Sequence, residues 1–322
     1  MLQSAVSALL ALDEPAIHYQ LRTGVLGEDP ADPALIELRS AIPQSARVRQ
    51  LLSERRADGT IPGHPYAKWT GAHWVLVSLA ELGYPPGDAS LIPLREQVLA
   101  WLFSQDHLVN AVEKRTKRGL VRAHASFEGN ATYALVALGL ADERVEALVD
   151  RLLAWQWPDG GWNCDLLAKG HTSSFTETLV PLRGLAWYAR ASGDRRVQRA
   201  VERAAEVFLT RRLFRRQSTG EPINPRFLRL HYPCYWHYDI LFGLTVLNEA
   251  GFLADQRCRD VLNLLDSKRL PDGGFPAEER YYQQTNRDLS GYSLVDWGGT
   301  SNRRMNPFVT VQALRLLSGP SS

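Results

Sequence analysis

One pattern constrains this chain more than any other. A helix that is apolar nearly all round recurs six times, with a charged amphipathic helix between copies. The copies are EPAIHYQLRTGVLG (14–27), TGAHWVLVSLAELG (70–83), GNATYALVALGLAD (129–142), TETLVPLRGLAWYA (176–189), WHYDILFGLTVLNEAG (236–251) and NPFVTVQALRLLSG (306–319). A helix with no polar face must be covered on most sides, whereas a partner such as RRVQRAVERAAEVFLTRRLF (195–214) hides one stripe and faces water. Repetition on this scale predicts two concentric layers of helices. Six hairpins closed into a ring cover every inner helix without polar capping repeats, with an open superhelical solenoid as the alternative. The expected fold is all-α, an (α/α)6 toroid with residues 1–322 as a single domain.

Breakers separate the helices at GYPPGD (83–88), WPDGGW (157–162), STGEPINP (218–225) and LPDGGFP (270–276), and alternating β-branched runs are absent. An Asp-Gly turn precedes three of the six copies, at Asp58-Gly59, Asp159-Gly160 and Asp272-Gly273. With 37 basic and 35 acidic residues the net charge is only +2, which gives no reason to expect nucleic acid as a partner. Three scattered cysteines make no disulfide framework, so a cytoplasmic setting is expected. No apolar run reaches the length of a membrane span, and MLQSAVSALLALDEP reads as a helix rather than a signal peptide. The basic runs KRTKR (114–118) and RRLFRR (211–216) read as solvated helix faces, with peripheral membrane or diphosphate contact as the alternative.

The stretch WQWPDGGWNCDLLAKGHTSSFTETLVPLRGLAWYA (155–189) resembles the Q-x-x-D-G-x-W repeat of squalene–hopene and related triterpene cyclases. Gln156, Asp159, Gly160, Gly161 and Trp162 match its turn, and Thr172, Ser173, Ser174 and Thr176 match the cap that follows. PDGGF (271–275) repeats the pattern with Phe275 in the Trp position, and ADGTIPGHPY is a degenerate copy. The resemblance implies the toroid of terpenoid cyclases and protein prenyltransferase β subunits, and with it an isoprenoid or other apolar ligand in a central cavity. The cyclases' acidic D-x-D-D motif is absent. Of the prenyltransferase zinc ligands only the Cys has a counterpart, Cys234, since Tyr232 stands in the Asp position and the last inner helix opens at Asn306 without a His.

Polar residues at the starts of the repeated helices are the candidates for chemistry, because helix dipoles favour carboxylates there. Asp239, His237 and Glu177 are the expected acid–base residues of a cyclase- or isomerase-like enzyme. LHYPCYWHYD also offers His231, Cys234 and His237 at i, i+3 and i+6; on a helix these would converge on zinc, although no cofactor is the leading expectation. Trp69, His73, Trp74, Asn130, Tyr133, Trp236 and Tyr238 are the candidate walls, suited to a hydrocarbon or a carbocation. Asp296, Trp297, Arg303 and Arg304 form a candidate anion-binding loop before the last copy, or an Asp–Arg pair that pins it. A zinc-dependent transferase or hydrolase, and a noncatalytic toroid that binds a lipid, peptide or protein, remain as alternatives. Glycan-processing enzymes share the barrel, but their paired carboxylates have no visible counterpart in the sequence.

Overall fold

The computed structural model describes residues 2–109, 116–117, 119–166 and 170–319. Fourteen α-helices are formed among them: α1 (Leu2–Leu10), α2 (Pro15–Gly24), α3 (Pro33–Ala41), α4 (Ala46–Leu51), α5 (Ala72–Glu81), α6 (Ile92–Leu102), α7 (Gln105–Leu108), α8 (Ser126–Ala137), α9 (Glu143–Trp155), α10 (Phe175–Ser192), α11 (Arg195–Leu209), α12 (Ile240–Glu249), α13 (Arg259–Asp266) and α14 (Pro307–Leu317). The one ladder among the described residues is a two-residue antiparallel pair, Thr116–Lys117 with Leu120–Val121. The fold is an all-α, α/α toroid. The six sequence copies are the inner helices α2, α5, α8, α10, α12 and α14, and the amphipathic helices lie outside them.

The ring is closed rather than open. α5, α8, α10, α12, α14 and α2 pack in succession. The last gap, between α2 and α5, is bridged where Gln20 Nε2 donates to the Glu81 carbonyl at 2.8 Å and Tyr19 packs on Gly83. All six inner helices contribute residues from their C-terminal halves to one cavity, so they run parallel. α8 and α10 approach most closely: a Cβ on Gly184 would lie 2.4 Å from the Gly129 carbonyl oxygen, and one on Gly129 would lie 2.7 Å from Pro181 Cα. Glycine at both positions is what lets these two backbones touch.

The Asp-Gly turns are staples. Gln156 Nε2 donates to the carbonyls of Gly160 (2.7 Å) and Ala200 (2.9 Å), while Asp159 accepts from the Ser173 amide (2.6 Å) and hydroxyl (2.5 Å). Trp162 is buried, donates through Nε1 to the Leu152 carbonyl, and its amide donates to Thr178 Oγ1. Phe275 is held identically: its amide donates to Thr310 Oγ1 at 2.9 Å, and that hydroxyl donates back to the Phe275 carbonyl. In α10 and α14 a threonine one turn into the inner helix thus pins the aromatic plug of its own repeat. No helix among the described residues is long and apolar enough to cross a membrane.

Candidate functional site

At the N-terminal mouth the structure gathers several of the expected wall residues, but as a packed plug. Trp69 stacks on Tyr235 at 3.7 Å and meets Trp74 edge-on at 4.7 Å, and His73 lies against Trp74 at 4.8 Å. His237 is sandwiched between Trp236 (3.9 Å) and Tyr281 (3.6 Å). Burial pushes the imidazoles of both His73 and His237 down to about 3, with the charges of His231 and Lys68 adding to the effect at His237. Neither ring nitrogen of His73 has a hydrogen-bond partner. Asn130 is likewise buried, with its Nδ2 unpartnered.

The segment 231–239 differs most from expectation. It is not helical, because Pro233 and the left-handed Tyr235 (φ 52°) break it, and α12 begins only at Ile240. His231, Cys234 and His237 therefore do not present one face to a metal. His231 Nδ1 is 2.7 Å from Asp239, whose carboxylate also accepts from the amides of His231 (2.8 Å) and Phe242 (2.7 Å). Asp239 is thus the N-cap of α12 and partners His231, not His237. The Cys234 sulfur reaches only the His231 carbonyl, at 3.9 Å, and burial pushes its thiol up.

Tyr238 points between the two layers, donating to the Leu213 carbonyl at 2.6 Å among Phe175, Phe208 and Phe227. Trp297 is buried against Tyr232 and Phe308. Asp296, Arg303 and Arg304 are exposed; Asp296 caps the Gly298 amide, and no ion pair joins it to either arginine. The guanidinium groups of Arg211, Arg212, Arg215 and Arg216 all bind protein partners. The other basic run falls mostly outside the described residues.

Glu177 lies in the first turn of α10, nearly buried. One of its oxygens accepts the Ser126 amide at 3.1 Å and the other faces His124 Nδ1 at 3.1 Å. The Cys164 sulfur completes this group, with one ligand atom from each of the three residues lying within 4.8 Å of the others.

The cavity lies at the opposite, C-terminal mouth, with a volume of about 460 Å³. Its centre is Arg183, which is 4% exposed and stands on α10 between two carboxylates. Glu249, the last residue of α12, takes a two-pronged contact from Arg183 Nε (2.6 Å) and Nη2 (2.8 Å) and a third bond from Trp187 Nε1 (3.1 Å). Glu81, the last residue of α5, pairs with Arg183 Nη1. The guanidinium carbon lies over Tyr133, 3.7 Å from the ring centroid. The two carboxyls are pushed opposite ways. Burial dominates at Glu81 and raises it, aided by the charge of Glu249, while Arg183 and Trp187 hold Glu249 below its usual range. Gln312 also lines the cavity, and its Oε1 has no partner. Two carboxyls on one guanidinium are a grouping that the sequence does not show. Tyr133 is the one expected wall residue found there. Glu81, Arg183 and Glu249 were missed, although Glu81 is the one acidic or basic residue of its repeat.

No family model matches the chain. No curated protein matches it either. Among solved structures it is similar to the type II terpene cyclase MstE from Scytonema in apo form, at 15% identity over 99% of this chain and 96% of that one, with a TM-score of 0.44. It is also similar to a glycosyl hydrolase family 88 protein from Bacteroides vulgatus, at 11% identity over 98% and 97% of the two chains, with a TM-score of 0.47.

Proposed function

We propose that the chain is an enzyme that works by proton transfer in the C-terminal cavity. The observation that carries this reading is a pair of half-buried carboxyls, Glu81 and Glu249, sharing one guanidinium and pushed apart in acidity. Two titratable groups separated in this way are what acid–base chemistry near neutral pH requires. Glu81 is the proton donor. Glu249, held ionised, is the base or the electrostatic partner of a developing cation. Tyr133 and Trp187 supply an aromatic wall, while Gln312, Asn248 and Arg315 offer hydrogen bonds. The cavity therefore suits a ligand with an apolar body and a hydroxylated or acidic end, which narrows the expectation of an isoprenoid or other apolar ligand. A prenylated alcohol or acid has that character, and cyclisation or isomerisation initiated by protonation is the reaction class. A second reading, glycoside chemistry, is favoured by the paired carboxyls themselves.

The test uses purified protein and a panel of prenyl alcohols, prenyl acids and uronic-acid glycosides, with products read by mass spectrometry. Turnover of any member is expected to fall about 10²–10⁴-fold in Glu81→Gln while ligand affinity stays within a few-fold. The pH profile should be a bell whose acidic limb belongs to Glu249 and whose basic limb belongs to Glu81. Turnover that survives both Glu81→Gln and Glu249→Gln refutes the assignment.

A further inference from the structure

The N-terminal face carries a second constellation, independent of the cavity. His124 belongs to the segment before α8, Cys164 follows the Trp162 turn, and Glu177 opens α10. Three separate stretches of chain thus bring a nitrogen, a sulfur and an oxygen donor within 4.8 Å of one another.

Each donor is fixed from behind. The His124 ring stacks on Phe127 at 5.2 Å. One Glu177 oxygen is held by the Ser126 amide, which leaves the other turned towards His124. The segment bearing Cys164 is tied at both sides. Trp162 is clamped by Thr178, while the buried Arg122 donates to the carbonyls of Asp165 and Gly170, both at 2.6 Å, and lies over Trp157. Arg122 is two residues from His124, so the same side chain couples the loop of one ligand to the segment of another.

The donor set is borderline-soft, and bonds of about 2.0–2.3 Å place tetrahedral zinc ligands about 3.3–3.8 Å apart. The three groups need to close by only about an ångström from their present spread. Held supporting contacts of this kind are what orient metal ligands. His124 and Cys164 are half-buried rather than sealed, so a fourth position faces the mouth.

We infer that His124, Cys164 and Glu177 form a zinc site with three protein ligands and one open position at the N-terminal face of the ring. Zinc there would bind the Cys164 thiolate and leave its fourth position to a water or a ligand atom.

The full-length protein is stripped of metal and titrated with Co²⁺ and Zn²⁺ alone. Co²⁺ is expected to give a thiolate-to-metal charge-transfer band at about one equivalent. Zn²⁺ should slow alkylation of Cys164 at least about tenfold, mapped by peptide mass spectrometry in the wild-type chain. Cys164→Ser should abolish the band, and Glu177→Gln should weaken binding at least about tenfold. Cys234→Ser and Cys258→Ser should leave the band intact. A band that persists in Cys164→Ser, a band lost in Cys234→Ser, or alkylation of Cys164 indifferent to Zn²⁺ overturns the proposal. The alkylation readout needs no variant, so a misfolded substitution does not shield the inference. None of these readouts depends on Glu81, Glu249 or turnover, so the two proposals fail separately.

Discussion

His73 offers the most quantitative check on how the N-terminal mouth is built. Its side chain is 1% exposed, packed against Tyr66, Trp74 and Trp101, with neither ring nitrogen partnered and its imidazole pushed down to about 3. A histidine in the unfolded chain takes up a proton near pH 6.5. In the folded protein His73 refuses that proton until about 3. A folded-state value depressed in this way makes stability fall with pH, beginning below the unfolded value and ending at the folded one. From about pH 6.5 to about pH 5 the loss is 1.4 kcal/mol per pH unit, or about 2 kcal/mol. His73→Phe removes this titration. Its constant offset mixes the relief of an unpaired imidazole with the strain of a larger ring. The pH-dependent part does not share that ambiguity. Urea unfolding of both proteins at about pH 7.5 and about pH 5 should show the variant gaining about 2 kcal/mol on the wild type as the pH falls. His237 titrates alike in both proteins and cancels. A difference that stays flat between the two pH values would show that His73 reaches solvent or a hidden acceptor, and the plug would then be a functional opening.

Two further substitutions test the ring itself. Arg183→Met strands Glu81 and Glu249 in the cavity and should cost about 3–5 kcal/mol in urea unfolding at neutral pH, with a smaller cost in acid where both carboxyls are neutral; a loss below about 1 kcal/mol would mean that water already screens the trio. Gly184→Ala drives a methyl to 2.4 Å from the Gly129 carbonyl oxygen and should destabilise by about 1–3 kcal/mol, read as a lower thermal midpoint. A neutral result there would mean that α8 and α10 can separate without loss.

The inner helices were legible because their constraint is local. A segment such as AHWVLVSLAE has no face that tolerates water, so only the inner layer can hold it. Their starts were less so. α8 begins at Ser126, before the apolar run, and its buried Glu128 meets Arg151 (3.1 Å) and His107 (2.9 Å) from outside the repeat. α12 begins at Ile240, after the apparent start, because Asp239 is spent as a cap. The sites were harder still, since their residues acquire a role only once the ring closes. Glu249 in LNEAG reads as an ordinary charge at a helix end, and its burial depends on Arg183 some 66 residues away. Cys164 is 40 residues from His124 and 13 from Glu177 in the sequence, and only the folded chain brings the three together.

The position of the carboxyls along the helices also bears on what they do. The N-terminal ends favour an ionised carboxylate, and Glu177, Asp239 and Glu128 there are all held by amides or cations. That arrangement suits a cap or a metal ligand. Glu81 and Glu249 are instead the last residues of α5 and α12, where the dipole's negative end opposes ionisation. Burial and dipole act together on Glu81 and favour its protonated form. At Glu249 the two-pronged grip of Arg183 overrides both. One guanidinium, unequally shared, therefore leaves one carboxyl raised and the other lowered in a single cavity. Glu249→Gln should then remove the repulsion that helps to raise Glu81, leave Arg183 free to draw closer to it, and bring Glu81 down towards the ordinary carboxylate range. A carboxyl titration by ¹³C NMR reads this directly. A Glu81 titration that does not move on that substitution would mean the two groups are not coupled, and the division of labour between them would fall.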